Sequence, residues 1–267
     1  MWYTVRGGVL VVAYETQTRG AVVILKTMSA TRKRYFVRLV CRVLIFIVFL
    51  LLCFAAPQVF DVMEGNDFFR ILSPLHILWL IWIADMVLQI VPIKSNIALG
   101  SQKLFANRFH PILEKINYQA LKNYIISTTK SAYLVMLIWT FLIAVIGVLY
   151  YTHVIDRIWL FMISVCFYVC DLICVLIWCP FRLIMKNKCC TTCRIFNWDH
   201  LMMFSPLIFV GGFYAISLVA MAFLAWLVWE LCVMIYPERF WEITNQSLKC
   251  GRCKDKLCTQ YCQKLRK

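Results

Sequence analysis

Seven of the fourteen cysteines lie in two polar clusters. Thiols grouped in this way can hold a metal ion, exchange disulfides or stay free. The first cluster runs Lys188-Cys189-Cys190-Thr191-Thr192-Cys193-Arg194, and Asp199-His200 follows shortly after. Cys190 and Cys193 form a C-x-x-C, a spacing that lets two thiolates reach one ion from a tight turn. Cys189 offers a third sulfur, His200 a nitrogen, and Asp199 a ligand or an outer acceptor. Lys188 and Arg194 favour the thiolate form. The competing readings are reduced, loop-borne thiols or an acylated juxtamembrane pair.

The second cluster is Cys250, Cys253, Cys258 and Cys262, near the end of the chain. Four sulfurs suffice for one tetrahedral Zn²⁺. The first two intervals resemble those of a zinc knuckle, whose third ligand is His and whose last interval is longer. An iron–sulfur cluster of the bacterial ferredoxin type fits worse, because its middle gap is shorter and a proline usually follows. The same cysteines could form two disulfides in an oxidising compartment, with three pairings open. A metal site, most simply zinc, two disulfides and free thiols are the three expectations.

Three acids inside apolar runs form a further set. Asp85 and Gln89 lie four residues apart on one helical face, with Trp82 beside them. Asp171 sits next to a stripe of Cys166, Cys170 and Cys174, which recur every four residues. Glu230 follows Trp226 and Trp229. A carboxylate inside a span usually faces protein or water. Asp85, Asp171 and Glu230 could converge on an ion or proton path, or each could hold a separate interhelical bond. The cysteine stripe also admits a plain packing role, because small residues let helices approach closely. His76 points away from Asp85.

The elements that must carry these residues are membrane helices. The chain has 267 residues, 63% of them hydrophobic, with a mean hydropathy of +0.76. Soluble domains stay near about 45–50% apolar, so lipid is the solvent that accepts the excess. Five runs approach the roughly 20 apolar residues a helical span needs: 43–60, about 71–91, 131–151, 158–179 and 213–236. A helix lying on the membrane surface is expected within 92–130, from Ile112, Leu113, Ile116, Tyr118, Leu121 and Tyr124 with Lys115 and Lys122 between them. The expected organisation is a basic N-terminal region over 1–38, a bundle over 39–236 and a Cys-rich basic tail over 237–267. Met28 opens a stretch that reads as a natural start, so residues 1–27 are expected to be an extension.

The net charge is +15. The bases flank apolar runs, so they are assigned to anionic lipid headgroups rather than to nucleic acid. Six of them, with no acid, fall between Lys26 and Arg42, which argues for a cytoplasmic N-terminus. Five crossings then place the tail outside, against its eight bases and three acids. The alternative makes 205–236 a re-entrant hairpin and returns the tail to the N-terminal side. The two cysteine clusters could share a face only in that second layout.

The expected fold is all-α, a polytopic transmembrane bundle. No nucleotide-binding, hydrolase or zinc-protease motif appears, and the catalytic question stays open. The leading functional expectation is a surface Cys/His metal or thiol-redox centre, in an accessory component of a membrane assembly with protein partners or further copies of itself. An ion- or proton-coupled transporter and a structural scaffold are the alternatives.

Overall fold

A computed structural model describes residues 29–91, 109–112, 117–187 and 190–249. The described residues are helical and contain no strand; a single bridge pairs Pro111 with Asn245. Four helices are long and apolar enough to cross a membrane: α1 (Ala30–Ala55), α3 (Tyr118–Tyr151), α4 (Arg157–Leu176) and α7 (Gly212–Ile235). The shorter apolar α2 (Leu75–Ile90) makes the fifth expected span. Two short helices, α5 (Phe181–Met185) and α6 (Asp199–Phe204), lie between α4 and α7. Leu51, Phe54, Leu137 and Phe141 are all exposed on the outer faces. Such surface suits lipid and not water, and the protein is an integral, multi-pass membrane protein.

Local signals set the helix ends. Ser29 caps α1 by accepting from the Arg32 N–H at 3.1 Å, Asn117 caps α3 through the Ala120 N–H at 3.0 Å, and Asp156 caps α4 through the Trp159 N–H at 3.1 Å. α4 ends at Leu176, three residues before the expected limit, because Pro180 disfavours helix in the residues just ahead of it. α3 corrects a second boundary. The surface helix expected before the third span is, from Tyr118 onward, the first turns of that span itself. No proline or glycine lies between Asn117 and Gly147, and extending a helix is easier than nucleating another. Ile112 is described outside the helix, and Leu113, Lys115 and Ile116 lie outside the described residues.

The bundle has two ends. At the distal end, where α1 finishes, Phe49, Phe60 and Phe161 meet edge to face. There Arg157 pairs with Asp61 at 2.8 Å and with Glu64. At the proximal end, where α1 begins, Leu39 packs on Leu172 and Leu176, with Tyr35 and Phe196 against them. Between the two ends Trp82, Phe161, Met203, Phe204 and Tyr214 form the fully buried centre.

The chain between α5 and α7 travels from one end of the bundle to the other, beginning six residues before the re-entrant segment of the alternative layout. Asp199 accepts from Gln89 at 3.1 Å near the proximal end of α2, while Phe209 packs on Tyr151 at the distal end of α3. Residues 199–209 therefore run through the bundle as α6 followed by the 3-10 turn Ser205–Phe209. At the distal end the backbone turns on Gly211 and Gly212, both at positive φ. The Phe213 N–H donates to the Gly65 carbonyl at 2.9 Å. A Cβ on Gly212 would collide with the Met63 carbonyl, so glycine is required there. α7 then returns to the proximal end.

Residues 237–249 consequently lie at the proximal end. Trp241 stacks on Tyr124 near the start of α3 at 4.9 Å, and the Gln246 N–H donates to the His110 carbonyl at 2.8 Å. The described start of the tail thus lies at the end of the bundle where α1 begins, the side it has in the re-entrant alternative rather than in the five-crossing layout. The physical reason is the broken passage 199–209, whose polar start and central Pro206 hide it from a count of apolar runs.

Candidate functional site

α4 ends in the thiol stripe and α6 begins with Asp199, and both elements border the space between them. That space is a cavity of about 240 Å³ at the proximal end. Cys170, Asp171 and Cys174 reach it from α4, Cys179 from the turn beyond, and Cys190 and Cys193 from the following loop. Met202 and Met203 close it from α6, and Trp139, Phe167 and Phe181 supply aromatic wall. Cys193 is buried among Ile195, Trp198, Trp229 and Val233. A turn brings the two C-x-x-C members together, the Cys193 N–H donating to the Cys190 carbonyl at 3.0 Å.

Contacts link the loop thiols to the helix thiols. Cys190 Sγ lies 3.9 Å from the Cys174 carbonyl. The Cys174 and Cys179 thiols are within hydrogen-bonding reach of each other. Cys179 stands past the end of α4, and the bond from Cys174 lowers its pKa to about 7 against the opposing effect of burial. The Phe181 and Arg182 backbone and the Arg182 charge act in the same direction as that bond. Thiolate is the reactive and metal-binding form, so Cys179 is prepared for either chemistry.

The expected Cys/His centre is thus only partly assembled. Cys190 and Cys193 face one cavity, but His200 is not among its walls. The His200 ring is buried 3.3 Å from Asp199 and packs near Phe204. Cys189 lies outside the described residues, as do Cys250, Cys253, Cys258 and Cys262. Among the described residues, no three His, Cys, Asp or Glu side chains stand close enough to hold a metal ion. A ready-made tetrahedral zinc site does not fit that donor set. The sequence reading gives Cys174 a place in a stripe open to an ion path, a metal relay or packing, and gives Cys179 no role beyond that of a small residue at the end of an apolar run; the proline one residue after Cys179, which ends the helix, is the available signal.

The intramembrane acids separate into two groups. Arg42, 7% exposed, donates to Asp171 at 2.6 Å and to the Tyr168 carbonyl at 2.7 Å. Its guanidinium lies 3.7 Å from the Tyr168 ring centroid and 3.8 Å from Asp85. Gln89 extends the same region to Asp199 at 3.1 Å. Asp85 and Asp171 therefore share one guanidinium, two of the three acids whose convergence the sequence leaves open. Glu230 does not join them. It accepts from Arg194 at 2.7 and 2.5 Å and from Trp198 Nε1 at 2.7 Å, locking the loop after Cys193 onto α7. His76 bonds the Phe68 carbonyl at 2.8 Å at the distal end, away from Asp85 as expected. Arg42 was counted only as a flanking base, although its place inside the apolar run marked it as a buried partner.

No known protein family, curated protein or solved structure matches this chain.

Proposed function

We propose that the protein is a membrane-bound thiol centre, in which Cys174, Cys179, Cys190 and Cys193 line one cavity at the proximal end of the bundle and act as nucleophiles or, in pairs, as soft ligands. The observation that carries this reading is the meeting of two separate cysteine groups, one from a membrane helix and one from a loop C-x-x-C, around a single cavity. Thiols used only to thin a helix interface would have no reason to face a space of that size. The basic segment that opens α1 lies at the same end, which under the positive-inside rule makes this the cytoplasmic face, in contact with anionic headgroups. We place the protein as an accessory component of a membrane assembly.

Timed alkylation of the detergent-solubilised full chain, read peptide by peptide by mass spectrometry, tests this reading. Cys179 is expected to react at least tenfold faster than Cys53. Mild oxidation is expected to crosslink Cys174 to Cys179 or Cys190 to Cys193. Equal rates at Cys179 and Cys53, with no crosslink, would remove the thiol centre.

A second reading rests on a different observation. Asp85, Asp171 and Asp199 face Arg42 and His200 inside the bundle, and an interrupted membrane segment beside buried acids is an arrangement suited to ion or proton passage. Unchanged proton flux in liposomes after Asp85→Asn, Asp171→Asn and Asp199→Asn together would dispose of it.

A further inference from the structure

We propose that the cavity binds a soft monovalent metal ion of the copper(I) class, held between the Cys174 and Cys179 sulfurs with Met202 or Met203 as a third donor. The inference rests on the thiol-centre reading and names the ligand of that centre.

The donor atoms carry the argument. Six sulfur-bearing residues, Cys174, Cys179, Cys190, Cys193, Met202 and Met203, line one space of about 240 Å³. Thiolate and thioether select soft ions, whereas carboxylate and water suit hard ones. The coordination number discriminates further. Zinc asks for four ligands in a tetrahedron, and among the described residues no trio of His, Cys, Asp or Glu is close enough to begin one. Copper(I) is satisfied by two or three sulfurs. Cys174, near the end of α4, and Cys179, in the turn just beyond it, line the same side of that space. Both methionines are buried, at 8% and 1% exposure, so their sulfurs point into protein and not into lipid. The two carboxylates in the lining are already engaged, Asp171 by Arg42 and Asp199 by Gln89 and His200, and the aromatic wall of Trp139, Phe167 and Phe181 offers nothing to a strongly hydrated ion.

Binding balances without electron transfer. Two thiols lose their protons to water, and Cu⁺ with two thiolates gives a centre of charge −1. The ion remains in the +1 state and no bond to sulfur is oxidised. Arg182, in the same wall, carries the charge that offsets this centre. Cys190, beside the Cys174 carbonyl, supplies a sulfur for stepwise ligand exchange as an ion enters.

The test uses the full chain in detergent, without oxygen, with Cys250, Cys253, Cys258 and Cys262 all changed to serine so that tail thiols do not report. Copper(I) is supplied as its acetonitrile complex in competition with bathocuproine disulfonate. The expected result is about one ion per chain, with affinity reduced at least 100-fold by adding Cys174→Ser and Cys179→Ser. Copper(I) is also expected to protect Cys174 and Cys179 from alkylation in the parent protein, a readout that needs no cavity variant to fold. Undiminished binding in the double variant would overturn the proposal, as would alkylation at an unchanged rate with copper present. Fast alkylation of Cys179 together with failure to bind copper would reject the ion and leave the thiol centre standing. Slow alkylation of Cys179 with no crosslink would reject both.

Discussion

Replacing Arg42 with leucine removes the guanidinium held 2.6 Å from Asp171. The Asp171 side chain is 18% exposed and its partner 9%, so the abandoned carboxylate has little access to water. Breaking a buried pair from one side costs about 3–5 kcal/mol, because the remaining charge is uncompensated. Arg42 also loses its bond to the Tyr168 carbonyl and its position over the Tyr168 ring, worth roughly 1–3 kcal/mol together. The second loss belongs to the arginine alone, whereas the first requires Asp171 to be present. Arg42→Leu is therefore expected to destabilise by at least ~3 kcal/mol, and Arg42→Leu with Asp171→Leu by about 2 kcal/mol less than the single change. Asp85, at 3.8 Å and 30% exposed, is a weaker partner, and Asp85→Asn is expected to cost about 1 kcal/mol or less. Denaturant titration of the detergent-solubilised protein, followed by tryptophan fluorescence, measures all three. A double variant no more stable than Arg42→Leu, or a single variant that loses under ~1 kcal/mol, would refute a buried charge centre.

Gly212→Ala is expected to cost about 2 kcal/mol or more and to lower the yield of folded protein, since residue 212 has φ +70 and its Cβ would meet the Met63 carbonyl. The alkylation rate of Cys179 is expected to be half-maximal near pH 7, falling as acid protonates the thiolate; Cys174→Ala removes the bond that favours the thiolate and moves the midpoint to higher pH. Tyr214→Phe is expected to leave stability unchanged or to raise it by about 1 kcal/mol, because the Tyr214 hydroxyl is buried with no hydrogen-bond partner. Thermal unfolding in detergent checks the glycine and tyrosine variants.

Much of the architecture is legible in the residues. A run such as Val43–Phe54 can only be lipid-facing helix, and Ser29, Asn117 and Asp156 are ordinary caps ahead of such runs. Periodicity also placed Asp85 and Gln89 on one face, where they meet Arg42 and Asp199. It could not say that Asp171, 86 positions after Asp85, shares the same guanidinium. Partner choice between spans depends on how helices pack, and apolar stripes in lipid say little about that. The cavity was hidden for a related reason. Cys174 and Cys190 are joined by a five-residue helix and a loop, whose path no hydrophobic pattern specifies. Glu230 illustrates the opposite error: its neighbours Trp226 and Trp229 suggested a shared polar centre, yet its partner is the loop residue Arg194.

The sidedness of the chain follows from the passage at 199–209. Six α-helical residues and five 3-10 residues span about 19 Å, short of the ~30 Å hydrocarbon layer. This piece crosses only because other helices surround it. Met203, Phe204 and Leu207 are buried in the bundle, and the Ser205 hydroxyl takes the Trp139 N–H at 3.1 Å. Lipid would not accept a 3-10 segment with its unsatisfied backbone, but a protein interior does. Five apolar runs then make six passages, and an even number returns the chain to its starting side. Single cysteines at Lys33, Asn66 and Lys249, in a background lacking the native thiols, report this through labelling with a membrane-impermeant maleimide in sealed vesicles. Positions 33 and 249 are expected to label together and position 66 only from the other face. Matching behaviour of positions 66 and 249 would mean that residues 199–209 do not pass through the bundle, and the meeting of loop and helix thiols would then have no structural basis.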